Sequence, residues 1–286
     1  MLVSTSKDGV IGQMDYFSAL AKLRPFVKDS KDGKLLVRGL SLDEMESLTA
    51  PDLTEIRAAF EKNLKYISET EKEVSVIERQ FQRTETRFFL TIGTCDCPTG
   101  RIIVCDPLAY LPAAEFCPVL KTEIPPGSYP VEISICRSEA IGIRICTVRL
   151  KIKDTPAAVY RLAEPASEKE TFSGFPVDAG MTCICDAQIA EEYQKFLDRW
   201  HQEHPGGNHY DDYFADLFRQ SEERLPQYQR QGGDFIEWEN PDTKRRLVMA
   251  ASGFGDGFYQ SFWGYDSEDE VCELIIPLVN PDLFGL

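Results

Sequence analysis

Glycine-flanked aspartates are the residues of this sequence whose chemistry most needs explaining. The segment VDAGMTCICD, residues 177–186, contains Asp178 and Asp186, and the segment SGFGDGFYQSFWGYD, residues 252–266, contains Asp256 among three glycines. Carboxylates of this kind can act as general acids or bases, or can activate water through a bound cation. If the three side chains converge in one cleft, the sequence predicts a hydrolase or a metal-assisted enzyme.

The same segments also have a structural interpretation, which the pattern favours. Glycines that are closely spaced permit positive φ angles, and the backbone amides of Gly255 and Gly257 could bind an anion. Strand texture rather than a helix follows this loop, which argues against a nucleotide site. In the structural interpretation Asp256 holds its own turn, and nearby aromatic side chains pack on a neighbouring strand. The candidate binding residues are Gly255, Gly257, Tyr259, Trp263 and Asp266.

All three histidines lie in one short window, at His201, His204 and His209. His201 and His204 would share a helix face, and with His209 and a carboxylate such as Asp211 they could form a divalent-metal site. Their spacing matches no strict zinc signature. Histidines are also common at helix C-termini, where the cation meets the helix dipole. We therefore expect no metal and no cofactor.

Nine cysteines are scattered through the chain. Cys95 with Cys97, and Cys183 with Cys185, form two Cys-x-Cys pairs that would each present two thiols on one face of a strand. Four thiolates would suit zinc. The usual zinc spacing is absent, however, and an odd number of dispersed cysteines is typical of buried, reduced thiols in a cytoplasmic protein.

The charge composition narrows the range of partners. The chain has 286 residues with 31 basic and 47 acidic side chains, a formal net charge of −16. This balance disfavours nucleic acid and anionic membranes, because each phosphate contact needs a cation. The N-terminus lacks the long apolar stretch of a signal peptide. We expect a cytoplasmic protein whose partner is a basic protein.

The N-terminal part, residues 1–85, is predicted to be a helical segment. Apolar residues recur at nearly helical spacing over residues 52–82, which predicts one long amphipathic helix, with a break near 68–70 as the alternative. A capping box at residues 41–44 marks an earlier helix start.

The remaining residues, 86–286, are predicted to form an antiparallel β-rich domain, because their short strand-like runs are joined by links too short for helical crossovers. Residues 94–100 suggest a hairpin connection between the first two runs. Two helices at about 187–220 interrupt the strands, with Asp186 as the predicted cap of the first and Asp211 or Asp212 as that of the second. The predicted fold class is α+β, with a curled or two-layer sheet.

Four segments together carry a resemblance to a known family. In chain order these are GRIIVCDPL (100–108), PPGSYPVEI (125–133), VDAGMTCICD (177–186) and SGFGDGFYQSFWGYD (252–266). They resemble the bacterial family called domain of unknown function 4241, over roughly residues 86–280. The resemblance implies a recurring acidic and glycine core of Asp106, Asp178, Gly180, Asp186, Gly255, Asp256, Gly257 and Asp266. The family places a glycine in the turn after the last aspartate, where this chain has residues 267–269 without one.

We expect a non-enzymatic protein-binding module of the immunity or accessory type, which covers a basic partner surface. The net charge, the lack of a standard catalytic motif and the scarcity of histidine all favour this function. The alternative is the aspartate-based hydrolase or metal-assisted enzyme. The two differ in whether Asp178, Asp186 and Asp256 meet in one cleft.

Overall fold

The structure, a computed structural model, describes residues 3–5, 9–11, 50–111, 117–167 and 173–286. The helices within these ranges are α1 (Ala50–Ser68), α2 (Val74–Gln80), α3 (Ala187–Glu203) and α4 (Ala215–Arg224). The strands are β1 (Val3–Thr5), β2 (Gly9–Ile11), β3 (Arg87–Cys97), β4 (Ile102–Cys105), β5 (Gly127–Ser138), β6 (Gly142–Lys151), β7 (Val159–Leu162), β8 (Phe175–Val177), β9 (Met181–Asp186), β10 (Phe235–Glu239), β11 (Arg246–Ala251), β12 (Gly257–Tyr259), β13 (Phe262–Tyr265) and β14 (Val271–Pro277). The predicted α+β class is confirmed.

Two larger antiparallel sheets form the framework. One has the strand order β3-β5-β6-β14-β13-β7 and the other β10-β11-β9-β4, while β12 pairs with β8 and β1 with β2. The predicted hairpin connection over residues 94–100 is wrong. β3 continues to Cys97 and pairs with β5, whereas β4 pairs with β9 in the other sheet. Cys95 and Cys97 are both buried, so their side chains continue the strand's inward face instead of belonging to an exposed turn.

The two larger sheets are connected along their edges. Residues 119–121 lie between β4 and residues 164–166, with bridges joining Ile103 to Val119 and Leu120 to Pro165. At another place Asp96 of β3 binds the Arg246 guanidinium of β11, with 2.8 Å between Oδ1 and the nitrogen. One hydrophobic core therefore contains side chains from both sheets.

Helix α3 begins immediately after β9 and covers this core. Its buried residues follow the predicted apolar stripe and are Ile189, Ala190, Tyr193, Phe196, Leu197 and Trp200. Tyr193 packs edge-to-face on Trp238 of β10, with ring centroids 5.4 Å apart. Burial of these aromatic rings contributes several kcal/mol of packing, at about 25 cal/mol per Å² of apolar surface.

The second of the two predicted helices, which contains α4, starts differently from the prediction. Neither Asp211 nor Asp212 caps it. The side-chain oxygen of Asn208 accepts from the N–H of Tyr210 at 2.9 Å, and the Asp212 carboxylate accepts from the N–H of Asn208 at 2.8 Å. A π-helical turn, Tyr210–Phe214, then leads into α4. Asparagine caps a helix as well as aspartate does, so the sequence alone does not decide among Asn208, Asp211 and Asp212.

The alternative prediction, a break in the N-terminal helix, is confirmed, because α1 ends at Ser68 and α2 begins at Val74. The buried Lys72 lies in the connection and donates to the carbonyl oxygens of Tyr66 at 2.6 Å and Glu69 at 2.7 Å. Lys72 thereby supplies a charged donor to carbonyl groups at the end of α1, of which that of Tyr66 also accepts from the N–H of Glu69 at 3.4 Å. The predicted capping box at residues 41–44 lies outside the described residues.

Both N-terminal helices pack on the β-rich part. Asn63 of α1 is fully buried, donates to the carbonyl oxygen of Leu278 and accepts from the N–H of Asn280. Arg149 of β6 stacks under Phe81, which follows α2, and forms an ion pair of 2.6 Å with Glu132 of β5.

Gly100 provides a test of this architecture. Its φ is +73°, and a Cβ atom there would lie 1.8 Å from the carbonyl oxygen of Ile124. Gly206 has a similar φ of +80°, but a Cβ atom there would have nothing within 4 Å, so it is a matched control. We expect Gly206→Ala to cost about 1 kcal/mol and Gly100→Ala about 3 kcal/mol or more, measured by urea unfolding. Equal costs would show that the contact at Ile124 is not rigid.

Candidate functional site

The buried carboxylate of Asp106 connects two turns of the family motif. It follows β4 and accepts backbone hydrogen bonds from Leu108 at 3.0 Å and Ala109 at 3.3 Å. Its other oxygen accepts from the N–H groups of Asp178 at 3.1 Å and Ala179 at 2.7 Å. Burial raises the pKa of Asp106, and these four N–H groups oppose that rise. Asp106 therefore acts on the backbone of the Asp178 turn.

Asp186 has a comparable role at the other end of β9. The sequence prediction that it caps a helix is confirmed, because it accepts from the N–H of Gln188 in the first turn of α3. It also accepts from the N–H and hydroxyl of Thr99 at 3.0 and 2.9 Å and from the N–H of Gly100 at 2.9 Å. The side chain is fully buried. It holds the loop between β3 and β4 against the start of α3.

Asp266 organises the acidic turn between β13 and β14. One carboxylate oxygen accepts from the N–H groups of Glu268 and Glu270, each at 3.0 Å, and the other accepts from the Thr155 hydroxyl at 3.0 Å. Asp269 has φ +62° in this turn. Aspartate tolerates the left-handed region better than most residues, which explains how this turn forms without a glycine.

The glycine-rich loop at residues 252–257 is tied from within. The Tyr259 hydroxyl lies 2.9 Å from the carbonyl oxygen of Ser252 and 2.8 Å from that of Gly255. Gly257 pairs with Val177 of β8. Tyr259 is fully buried and Trp263 is 2% exposed. The candidate binding aromatics thus point into the protein and are not available to a partner at its surface.

Two of the three candidate catalytic aspartates lie near each other. The turns that contain them meet, because the N–H of Ser252 donates to the carbonyl oxygen of Gly180 at 3.0 Å. Burial raises the pKa of the Tyr110 phenol, and the negative charges of Asp178, Asp106 and Asp256 raise it further. The Asp178 side chain is exposed and Asp256 is 8% exposed. Asp186 ends the strand that Met181 begins, which separates it from this group by about 16 Å of extended chain. The structure therefore brings the turns of Asp178 and Asp256 together and leaves Asp186 apart.

The histidines make separate contacts with the protein. The His204 ring stacks on Trp200 at a centroid distance of 4.6 Å, and its Nδ1 lies 2.9 Å from the Trp200 carbonyl oxygen. Nε2 of His209 lies 3.1 Å from the carbonyl oxygen of Leu108, and its ring meets that of His201 edge-to-face at 5.3 Å. In the described ranges, no group of three or more His, Cys, Asp or Glu side chains is arranged to hold a metal ion.

All nine cysteines are free thiols and buried. Cys95 lies 3.7 Å from Cys97 between sulfur atoms, whereas Cys183 has Cys105 of the neighbouring strand at the same distance. Burial raises the pKa of the thiols of Cys105, Cys183 and Cys185. Protonated, enclosed thiols are poor nucleophiles and poor metal ligands.

Sequence reasoning missed the groove beside α3, where Arg101 and Lys195 line a largely apolar depression. Arg101 lies in the segment GRIIVCDPL, but Lys195 lies in none of the four motif segments, and the two residues are almost a hundred positions apart. Only the pairing of β4 with β9, which continues into α3, brings them to one place. No periodicity or spacing in the sequence could have indicated this.

These observations define an α+β protein in which three of the motif aspartates, Asp106, Asp186 and Asp266, bind backbone amides. The family model described as "Protein of unknown function (DUF4241)" matches residues 95–276, and the chain belongs to this family. No curated protein and no solved structure matches the chain. Among the described helices, none is both long enough and apolar enough to span a bilayer.

Substitution of Asp186 and of Asp178 compares an aspartate that holds the fold with one that is exposed to solvent. Asp186→Ala leaves one buried and three partly buried donors without their acceptor, so we expect a loss of about 3 kcal/mol in the free energy of unfolding. Asp178→Ala removes an exposed side chain and should change stability by less than about 0.5 kcal/mol. Chemical denaturation of both variants measures the difference. A stable Asp186→Ala protein would contradict the structural role.

Asp266 predicts a specific pH dependence. The N–H group of Glu270, aided by that of Glu268 and by the Thr155 hydroxyl, lowers the pKa of Asp266. Because the folded pKa is below the unfolded value of about 3.9, the stabilisation is complete above that value and is lost as the pH falls through the folded pKa. In Asp266→Asn the amide oxygen can still accept from both N–H groups. We expect the stability difference between the two proteins to shrink between about pH 5 and about pH 2, measured by urea unfolding at each pH. A constant difference would contradict this assignment.

Proposed function

We propose that this protein is a non-enzymatic, cytoplasmic binding module of the immunity or accessory type, which covers a basic surface of a protein partner. The observation that carries the proposal is the division of roles among its acidic residues. Asp106, Asp186 and Asp266 use their oxygens to accept from backbone N–H groups and threonine hydroxyls. Other carboxylates are exposed and can attract cations.

We propose that the binding surface lies on the helical unit formed by α3, the π-helical turn and α4. Residues 187–224 carry nine acidic side chains against four basic ones. We call the exposed acidic residues of this unit the acidic helical surface; they are Glu191, Asp198, Glu203, Asp211, Asp212, Asp216 and Glu223. Like charges on one surface raise the association rate with an oppositely charged partner and bias its orientation.

Tyr210 adds an aromatic contact to this surface. It is 37% exposed, which is unusual for a large aromatic in this protein, and it precedes the exposed Asp211 and Asp212. Tyrosine is enriched at the energetic centres of interfaces because it combines a large apolar ring with a polar end. The nine free thiols support a reducing compartment.

A variant pair tests the proposal at constant net charge. Glu203→Gln, Asp211→Asn and Glu223→Gln together neutralise three exposed acids of the acidic helical surface. Glu71→Gln, Glu73→Gln and Glu85→Gln neutralise three exposed acids near α2, and none of these six side chains forms an ion pair among the described residues. The full chain would be immobilised in native lysate at about 50 and 150 mM salt, the range in which screening of exposed charges changes.

We expect the wild-type protein and the triple variant near α2 to retain the same basic partner. The triple variant of the acidic helical surface should bind that partner at least about tenfold more weakly, since charges at the rim of an interface act mainly on the association rate. Mass spectrometry and a binding titration measure this. The absence of any partner at both salt concentrations, or equal binding by the two variants, would contradict the proposal.

The hydrolase alternative has one observation in its favour, the closeness of Asp178 and Asp256 to Tyr110. Two carboxylates beside a phenol can share proton transfer. A hydrolytic activity that Asp178→Asn abolishes without changing the melting temperature would support this alternative and count against a purely binding role.

A further inference from the structure

A groove of about 670 Å³ runs along α3 on the side away from the buried aromatic stripe. One wall is the helix flank that contains Ala187 and Ala190, and the other includes Ile103, Pro118 and Val119. Its volume falls in the range of sites that enclose a small molecule or a few residues of peptide. The space between these two walls is therefore suited to one or two apolar side chains.

Two cations line this groove in a protein that is strongly acidic overall. Arg101 and Lys195 are both exposed, and neither forms an ion pair within the described part of the chain. Most other arginines in that part contact a carboxylate or an aromatic ring. Although Glu191 and Asp198 also line the groove, these two cations form no ion pair with them, and cations beside apolar walls complement a ligand that has an anionic group next to an apolar one.

Hydrogen-bond acceptors line the groove as well. Asp198 lines it and already accepts from Nε2 of Gln194 at 2.6 Å. Glu191 also faces the groove. A ligand that supplied only a hydrocarbon and a carboxylate would leave these acceptors unmatched, whereas a peptide would offer backbone N–H groups to them.

We propose that the α3 groove binds the C-terminus of a partner polypeptide that ends in an apolar residue. The terminal side chain packs between Ile103 and Val119 on one wall and Ala190 on the other. The terminal carboxylate meets Arg101 and Lys195, and the preceding backbone N–H groups or a basic side chain meet Glu191. This inference rests on the proposed function, because it takes the occupant to be part of a protein partner.

N-acetylated pentapeptides ending in Leu, Phe, Ala or Asp, each prepared as a free acid and as a C-terminal amide, provide the probe. Calorimetric titration of the full chain should show binding of the Leu and Phe free acids and at least about tenfold weaker binding of their amides, since one charged hydrogen-bonded contact accounts for about that factor. The double variant Arg101→Gln and Lys195→Gln should weaken binding of the free acids by the same factor as amidation does. It should not change binding of the amides. Lys62→Gln with Lys65→Gln, two exposed cations of α1, is the matched control and should bind as wild type does.

Each contrary result has a distinct meaning. No binding of any peptide, or binding that survives both amidation and loss of Arg101 and Lys195, overturns the inference. 4-Methylpentanoate has the leucine side chain and carboxylate without a peptide bond, and equal affinity for it would identify a small organic acid as the occupant instead. If a captured partner depends on the acidic helical surface but not on Arg101 and Lys195, the proposed function stands and the groove inference fails. If peptides bind but no partner is captured, the proposed charge-based recognition fails and the groove inference stands.

Discussion

The hydrogen bonds from backbone N–H groups to buried carboxylates are the interaction on which the rest of this structure depends. Asp106 and Asp186 lie beside opposite ends of β9, and each binds amides from two chain segments that are distant in sequence. An ionised carboxylate can accept several such bonds at once, and each is stronger than a bond between neutral groups. The turns of the family motif are thereby held in place around the central strand of the smaller of the two larger sheets, and α3 starts from one of them.

Local chemistry made parts of this arrangement predictable. The cap at Asp186, the apolar stripe of α3 and the break after Ser68 each depend on residues within a few positions of one another, and the sequence displays them directly. The predicted cap of the helical segment that leads into α4 was wrong. Asn208, Asp211 and Asp212 offer nearly equal side-chain oxygens, and the choice among them depends on the approach of the preceding turn. The α+β class followed from the density of short alternating runs, which is a property of the whole chain.

The strand pairings could not be read in the same way. Residues 94–100 have the composition of a turn, yet Cys95 and Cys97 continue β3 because both thiols are buried in the core and β5 supplies the neighbouring strand. Non-local pairing also decides which candidates meet. Asp178 and Asp256 approach Tyr110 from different loops, and Arg101 approaches Lys195 through the pairing of β4 with β9. Residue types indicated the chemistry, but only tertiary structure determined the combinations.

The enclosure of every thiol has a consequence for how the protein fails. In the folded chain the sulfur atoms are sealed from solvent, and burial keeps several of them protonated at neutral pH. Unfolding would release nine cysteines at once, with an ordinary pKa near about 8.5. Cross-linking among them in air would trap unfolded chains in disulfide-bonded forms that cannot refold. Without a reductant, loss of structure would become a one-way reaction, and the protein's working lifetime would depend on how often the chain opens and on how quickly its exposed thiols then react.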